Sequence, residues 1–157
     1  MPVRDQAERL RGASLRVTAQ RTAVLHVLEQ HPHSDAGFVA RAVREVIGAA
    51  SIQAVYNVLD VLIEAGLVRK FQPAGSPGLF ELRADANHHH VVCRACGAVA
   101  DVDCTVGRRP CLTPSATDGF IVDEAEVVFW GFCRSCTNSS EQRRDLNTTP
   151  ITLQEIK

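Results

Sequence analysis

A chain of 157 residues, 45% of them hydrophobic and with a net charge of −1, can hold one ordinary domain or two small ones around a real core. No run approaches the roughly 18 apolar residues of a membrane span, and the opening MPVRDQAERLRG lacks the apolar segment of a signal peptide. A soluble, cytoplasmic protein that does not engage a membrane is expected. The charge is unevenly divided: residues 1–83 carry ten Lys+Arg against eight Asp+Glu, and residues 84–157 seven against ten. That surplus permits nucleic acid as a partner of the first half, although a solvated helix face explains it equally well.

Along the first half the apolar periodicity is helical. Thr18 is placed to cap a helix running to about Gln30, ended by His31-Pro32. A second helix is predicted from about Asp35 to Ile47, where Phe38, Val39, Ala42, Val43 and Val46 recur at helical spacing before Gly48. In SIQAVYNVLDVLIEAG, Ser51 can cap, and Ile52, Val55, Leu59, Leu62 and Ile63 form one apolar stripe. The opposite face shows Gln53, Tyr56, Asn57, Asp60 and Glu64, and Gly66 stands where a left-handed C-cap is expected. LVRKFQPAGSPGLFELR then reads as two short strands about a turn at Ala74 to Gly78.

Three helices followed by a hairpin is the order of a winged helix-turn-helix, whose third helix can lie in the major groove while the wing touches phosphates. Gln53, Tyr56 and Asn57 are the candidates to read bases, and the capping Ser51 is a further candidate DNA contact. Arg16, Gln20, Arg21, Arg69 and Lys70 are the candidates to hold the backbone. The alternative is a helical domain whose polar face is only solvated, since a fold does not fix a function.

The character changes at Ala84 to Asn87, a polar stretch read as a hinge. HVVCRACGAVADVDC suggests a strand, a knuckle and a second strand, and GFIVDEAEVVFWGFC two strands joined at Asp123 to Ala125. Between them Pro110 and Pro114 keep any helix short, and the polar segment after Thr137 is expected to be a mobile tail. The expected organisation is thus α+β: a winged-helix DNA-binding domain over 1–83, a hinge at 84–87, a small α/β dimerisation and metal-binding domain over 88–137, and a tail at 138–157.

Cys93-x-x-Cys96 and Cys133-x-x-Cys136 are two knuckles separated by 36 residues. Each short turn brings two thiolates to one side, and two such pairs supply the tetrahedral four-sulfur set that zinc favours. A thioredoxin-like redox pair would want a βαβ context and would use only half of the set. The histidines of NHHHVVC call for another account. On a strand, His88 and His90 fall on one face and His89 on the other, so two imidazoles could join Asp101, Glu81 and His33 in a harder, exchangeable site for iron, manganese, nickel or zinc. Surface histidines beside a hinge can also be ordinary solvated residues. Cys104 and Cys111, near Arg108 and Arg109, are either reactive thiols or small buried hydrophobes.

RVTAQR, SIQAVYNVLDVLIEAGLVRK, NHHHVVCRACG and the final C-x-x-C together resemble, over about residues 8–137, the ferric uptake regulator family of bacterial metal-dependent repressors, and within it the actinobacterial branch associated with catalase-peroxidase control. The resemblance implies a homodimer that binds a palindromic operator in double-stranded DNA. It implies structural Zn2+ on Cys93, Cys96, Cys133 and Cys136. It implies a regulatory site for Fe2+ or Mn2+ on His33, Glu81, His88, His90 and Asp101, bridging the two domains and favouring the DNA-binding arrangement. It further implies that peroxide acts at the regulatory iron and oxidises His33 or His88; the rival from the residues is a Cys104–Cys111 disulfide. Sequence departures include Ala19 where a proline is common, and Asn87, Arg108 and Ala125 where some members have a further metal site. Expected overall is a metal-dependent, peroxide-responsive repressor of oxidative-stress genes. The alternatives are an iron- or zinc-uptake repressor sensing metal alone and, from another class, a zinc-dependent thiol oxidoreductase. No nucleophile, base and orienting residue form a recognisable catalytic set.

Overall fold

The computed structural model describes residues 3–83, 88–103, 112, 114–122 and 125–137. The chain divides into two compact units, Met1–Ala86 and Asn87–Lys157. The residues read as a hinge (84–87) and as a tail (138–157) lie outside the described residues, as do Cys104 and Cys111.

The first unit opens with α1 (Val3–Gly12), followed by α2 (Ala19–Gln30), β1 (Ser34–Asp35), α3 (Ala36–Ile47), α4 (Ile52–Glu64), β2 (Val68–Phe71) and β3 (Leu79–Leu82). Each of the three central helices starts on a side chain that accepts a backbone N–H of its first turn. Thr18 accepts from Arg21, Asp35 from Phe38 and Ser51 from Ala54, which satisfies donors a helix cannot satisfy internally. α3 stops at Gly48, whose φ of 79° is the left-handed conformation a side chain would oppose. α4 closes at Ala65, and the left-handed residue is the next one, Gly66, at φ 70°.

α3 and α4 are bent 102° to one another across a short break, within the angle range of a helix-turn-helix. Their apolar stripes meet α2 in one core of Val24, Leu25, Leu28, Val39, Val43, Leu59 and Leu62, each at most 1% exposed. Burying each of these side chains stabilises the fold by about 1.5–3 kcal/mol. β1, β3 and β2 form an antiparallel sheet in that order, with Arg69 opposite Glu81 and Ser34 opposite Phe80.

The second unit contains β4 (His88–Cys93), β5 (Val99–Asp103), β6 (Val128–Gly131) and the short helix α5 (Arg134–Thr137). β4 is the centre of a three-stranded sheet ordered β5-β4-β6, antiparallel to β5 and parallel to β6. The strand expected to begin at Gly119 is not formed: Phe120, Ile121 and Val122 lie outside the sheet and are exposed. Among the described residues no single helix is long and apolar enough to cross a membrane.

Candidate metal centres and nucleic-acid interface

The four cysteines of the two knuckles converge. Cys93 ends β4, and the turn after it is closed by Gly97 N–H donating to the Cys93 carbonyl at 2.9 Å. Cys133 immediately precedes α5 and Cys136 lies within it, and the Cys136 N–H donates to the Cys133 carbonyl at 3.0 Å. The sulfurs all lie within 4.8 Å of one another. Cys96 Sγ and Cys133 Sγ are 3.7 Å apart, and the Cys133 N–H donates to Cys93 Sγ at 3.3 Å. A tetrahedral zinc with bonds of about 2.3 Å needs sulfur–sulfur edges of about 3.8 Å, so the cluster fits zinc. None of the four is in a disulfide.

The backbone N–H groups of Cys133 and Cys96 hold the Cys93 thiol down to about 6, whereas the neighbouring thiols of Cys133 and Cys96 push Cys136 up to about 12. The set is therefore unequal in its readiness to give up protons.

Nitrogen and oxygen donors lie outside this set, in both units. In the first, His33 Nε2 is 2.8 Å from Glu81 Oε2. His33 precedes β1 with a φ of 58°, a left-handed conformation rare for non-glycine residues, and Glu81 is 3% exposed on β3. The other oxygen, Oε1, is 3.5 Å from Arg69 Nε. In the second unit, β4 puts His88 and His90 on one face, with ring centroids 5.2 Å apart. Both Nε2 atoms face Asp101 Oδ1, at 3.8 and 3.7 Å. His89 points to the opposite face, where its ring lies edge-on to Phe129.

The candidate DNA-facing side chains lie on one unit. On α4, Gln53 and Asn57 are exposed and joined to one another, Gln53 Nε2 donating to Asn57 Oδ1 at 3.1 Å. Tyr56 between them is 44% exposed, and Ser51 is occupied as the cap. At the start of α2, Gln20 and Arg16 are exposed, and Arg21 donates to the Arg16 carbonyl at 2.8 Å. On β2, Lys70 is exposed, while Arg69 is turned the other way, toward Glu81.

One grouping was not foreseen from sequence. A cleft of about 220 Å³ joins Tyr56 of α4 and Lys70 and Gly78 of the wing to Asp35 and Gly37 at the start of α3. The Lys70 side chain packs over Gly78, where a Cβ would fall 2.5 Å from Lys70 Cε and would displace the lysine. The signal available in the sequence was the glycine closing the wing turn, two residues before the position that pairs with Lys70.

A profile described as the Ferric uptake regulator family matches residues 12–113. The Transcriptional regulator FurA of Mycobacterium tuberculosis is 54% identical over 139 residues, covering 88% of this chain and 95% of that protein. The Peroxide-responsive repressor PerR of Staphylococcus aureus is 29% identical over 129 residues, covering 81% of this chain and 86% of its own. A solved structure of the ferric uptake regulator from Pseudomonas aeruginosa with manganese shares the fold with a TM-score of 0.65 at 28% identity, covering 82% of this chain and 98% of that one.

Proposed function

The chain belongs to the ferric uptake regulator family and is a metal-responsive transcriptional regulator, not an enzyme; from that premise we propose that it is a cytoplasmic, dimeric, peroxide-responsive repressor that binds a palindromic operator while metallated and leaves it on oxidation. The observation that carries the reading is the division of ligands by chemistry. Four sulfurs spaced for zinc make a closed set with no open position, and imidazole and carboxylate groups stand outside it in both units.

In this reading Cys93, Cys96, Cys133 and Cys136 hold structural zinc, and His33, Glu81, His88, His90 and Asp101 are the ligands of an exchangeable Fe2+ or Mn2+. Hard nitrogen and oxygen donors suit those ions. When bound, ferrous iron supplies ligand bonds and an electron donor for peroxide. Ligand bonds available only in the DNA-binding arrangement shift the population toward it. Gln53, Tyr56 and Asn57 then read base edges, and Arg16, Gln20, Arg21 and Lys70 hold phosphates. A second copy is supported by apolar side chains left exposed on the second unit, Phe120, Ile121, Phe129 and Trp130, the last two on an edge strand. Peroxide sensing is supported by the likeness to a peroxide-responsive repressor, and genes of peroxide defence are the proposed targets.

The test is binding of the zinc-loaded protein to its own upstream DNA and to random duplex, with and without Mn2+ or Fe2+. Metal-dependent preference for its own DNA is expected; equal affinity for both overturns the repressor reading. Mass spectrometry of the iron-loaded protein after mild peroxide then assigns the chemistry. One added oxygen on His33 or His88 is expected, a Cys104–Cys111 disulfide would move the sensor to the thiols, and release of DNA with neither change overturns both.

A further inference from the structure

We propose that Arg69 is a positioning residue that holds down the affinity of the exchangeable metal site by engaging one oxygen of Glu81. The proposal rests on the reading above that His33 and Glu81 are metal ligands.

The register of the wing hairpin places Arg69 directly opposite Glu81 on one face of the sheet, and Lys70, its neighbour on the strand, is turned outward. The side chains of Arg69 and Glu81 are 14% and 4% exposed, so their charges meet largely out of water, where attraction is screened little. The two oxygens of Glu81 are divided: Oε1 faces Arg69 Nε at 3.5 Å and Oε2 faces His33 Nε2 at 2.8 Å. β1 fixes the segment after His33 through the pairing of Ser34 with Phe80, the residue before Glu81.

A buried carboxylate requires a cation, and the guanidinium is one that does not deprotonate. An oxygen engaged by Arg69 is withheld from an ion, which confines ligation to the His33 side. A fixed positive charge beside the carboxylate also opposes a divalent cation that shares it. Both effects act in one direction, toward weaker metal binding and faster exchange, which is what a site that must empty and refill requires. Arg69 thus has a task different from phosphate contact, although it lies in the basic run of the wing.

The experiment titrates the full-length, zinc-loaded protein with Mn2+ against a fluorescent chelator, for wild type, R69M, R69Q, R69K and E81Q, without DNA. Removal of the charge in R69M or R69Q is expected to tighten Mn2+ binding by about tenfold, with R69K within about threefold of wild type. Unchanged or weaker Mn2+ binding by the charge-removed variants overturns the proposal, and R69Q decides the matter where R69M does not fold. E81Q separates the two levels of the argument. If it leaves Mn2+ affinity unaltered, Glu81 is not a ligand, and the underlying assignment fails rather than the role of Arg69 alone.

Discussion

Cys96 Sγ lies 3.7 Å from Cys133 Sγ, too far for a disulfide and the length of one edge of a zinc tetrahedron. Replacing either cysteine removes a quarter of the ligand set. Structural zinc contributes on the order of 10–16 kcal/mol to the folding of small zinc-finger domains. C96S and C133S are expected to purify without the structural zinc and to lose the fold of the second unit, with the helices of the first retained because their core contains no metal ligand. Elemental analysis together with limited proteolysis checks this. A C96S protein that keeps full zinc and a protease-resistant second unit would remove Cys96 from the site.

The inequality of the thiols fixes the sign of the pH dependence. Zinc binds thiolates, so any thiol still protonated must release its proton on binding. With Cys136 pushed up to about 12, that proton is present throughout the neutral range, whereas Cys93, held near 6, regains its proton only on the acid side. Zinc affinity is therefore expected to fall as pH falls, by at least about tenfold per unit between pH 8 and 6, and more steeply below 6. Competition with a chromogenic chelator at several pH values measures the slope, and a flat profile contradicts ligation by these thiols.

What could be read from the sequence followed from periodicity and spacing. α2, α3 and α4 carry apolar stripes, and Thr18 and Ser51, the two side chains read as caps, each accept a first-turn N–H; Asp35, read as the first residue of its helix, is instead the cap before it. The C-x-x-C pairs announce a four-sulfur cluster for the same reason, since spacing within a knuckle is local. α1 went unread because one of its fully buried positions is Gln6, whose amide donates to Glu29 at 3.0 Å; a polar residue on the core face hides the stripe. The pairing of Arg69 with Glu81 was hidden for another reason. It depends on the register of two strands, and the sequence, with Arg69 and Lys70 adjacent, suggested only a basic wing.

The hydrogen bond from Gln53 to Asn57 ties together two polar side chains on the exposed face of α4. Each keeps donors or acceptors beyond that bond, so the pair can present a fixed pattern to base edges at little cost in rotamer entropy. Q53A and N57A are expected to weaken operator binding by about 1–3 kcal/mol and to leave affinity for random duplex nearly unchanged. K70A, on the wing, should weaken both and lower the salt dependence by about one unit of slope. Binding isotherms over a salt series distinguish the two patterns; equal losses on operator and random DNA for N57A would place Asn57 among the phosphate contacts.

The core beneath that face gives the clearest stability contrast. Leu59 is fully buried between α4 and its neighbours, and Asp60, the next residue, is exposed. Leu59→Ala leaves a cavity in a region already closely packed and is expected to cost about 2–5 kcal/mol, whereas Asp60→Ala should change stability by less than about 0.5 kcal/mol. Asp35→Ala, which deprives Phe38 N–H of its 2.8 Å acceptor at the start of α3, should cost about 1 kcal/mol. Urea unfolding followed by far-ultraviolet circular dichroism reports these helices directly. A Leu59→Ala loss no larger than that of Asp60→Ala would mean that the apolar stripe of α4 is not what seats the DNA-facing helix on its core.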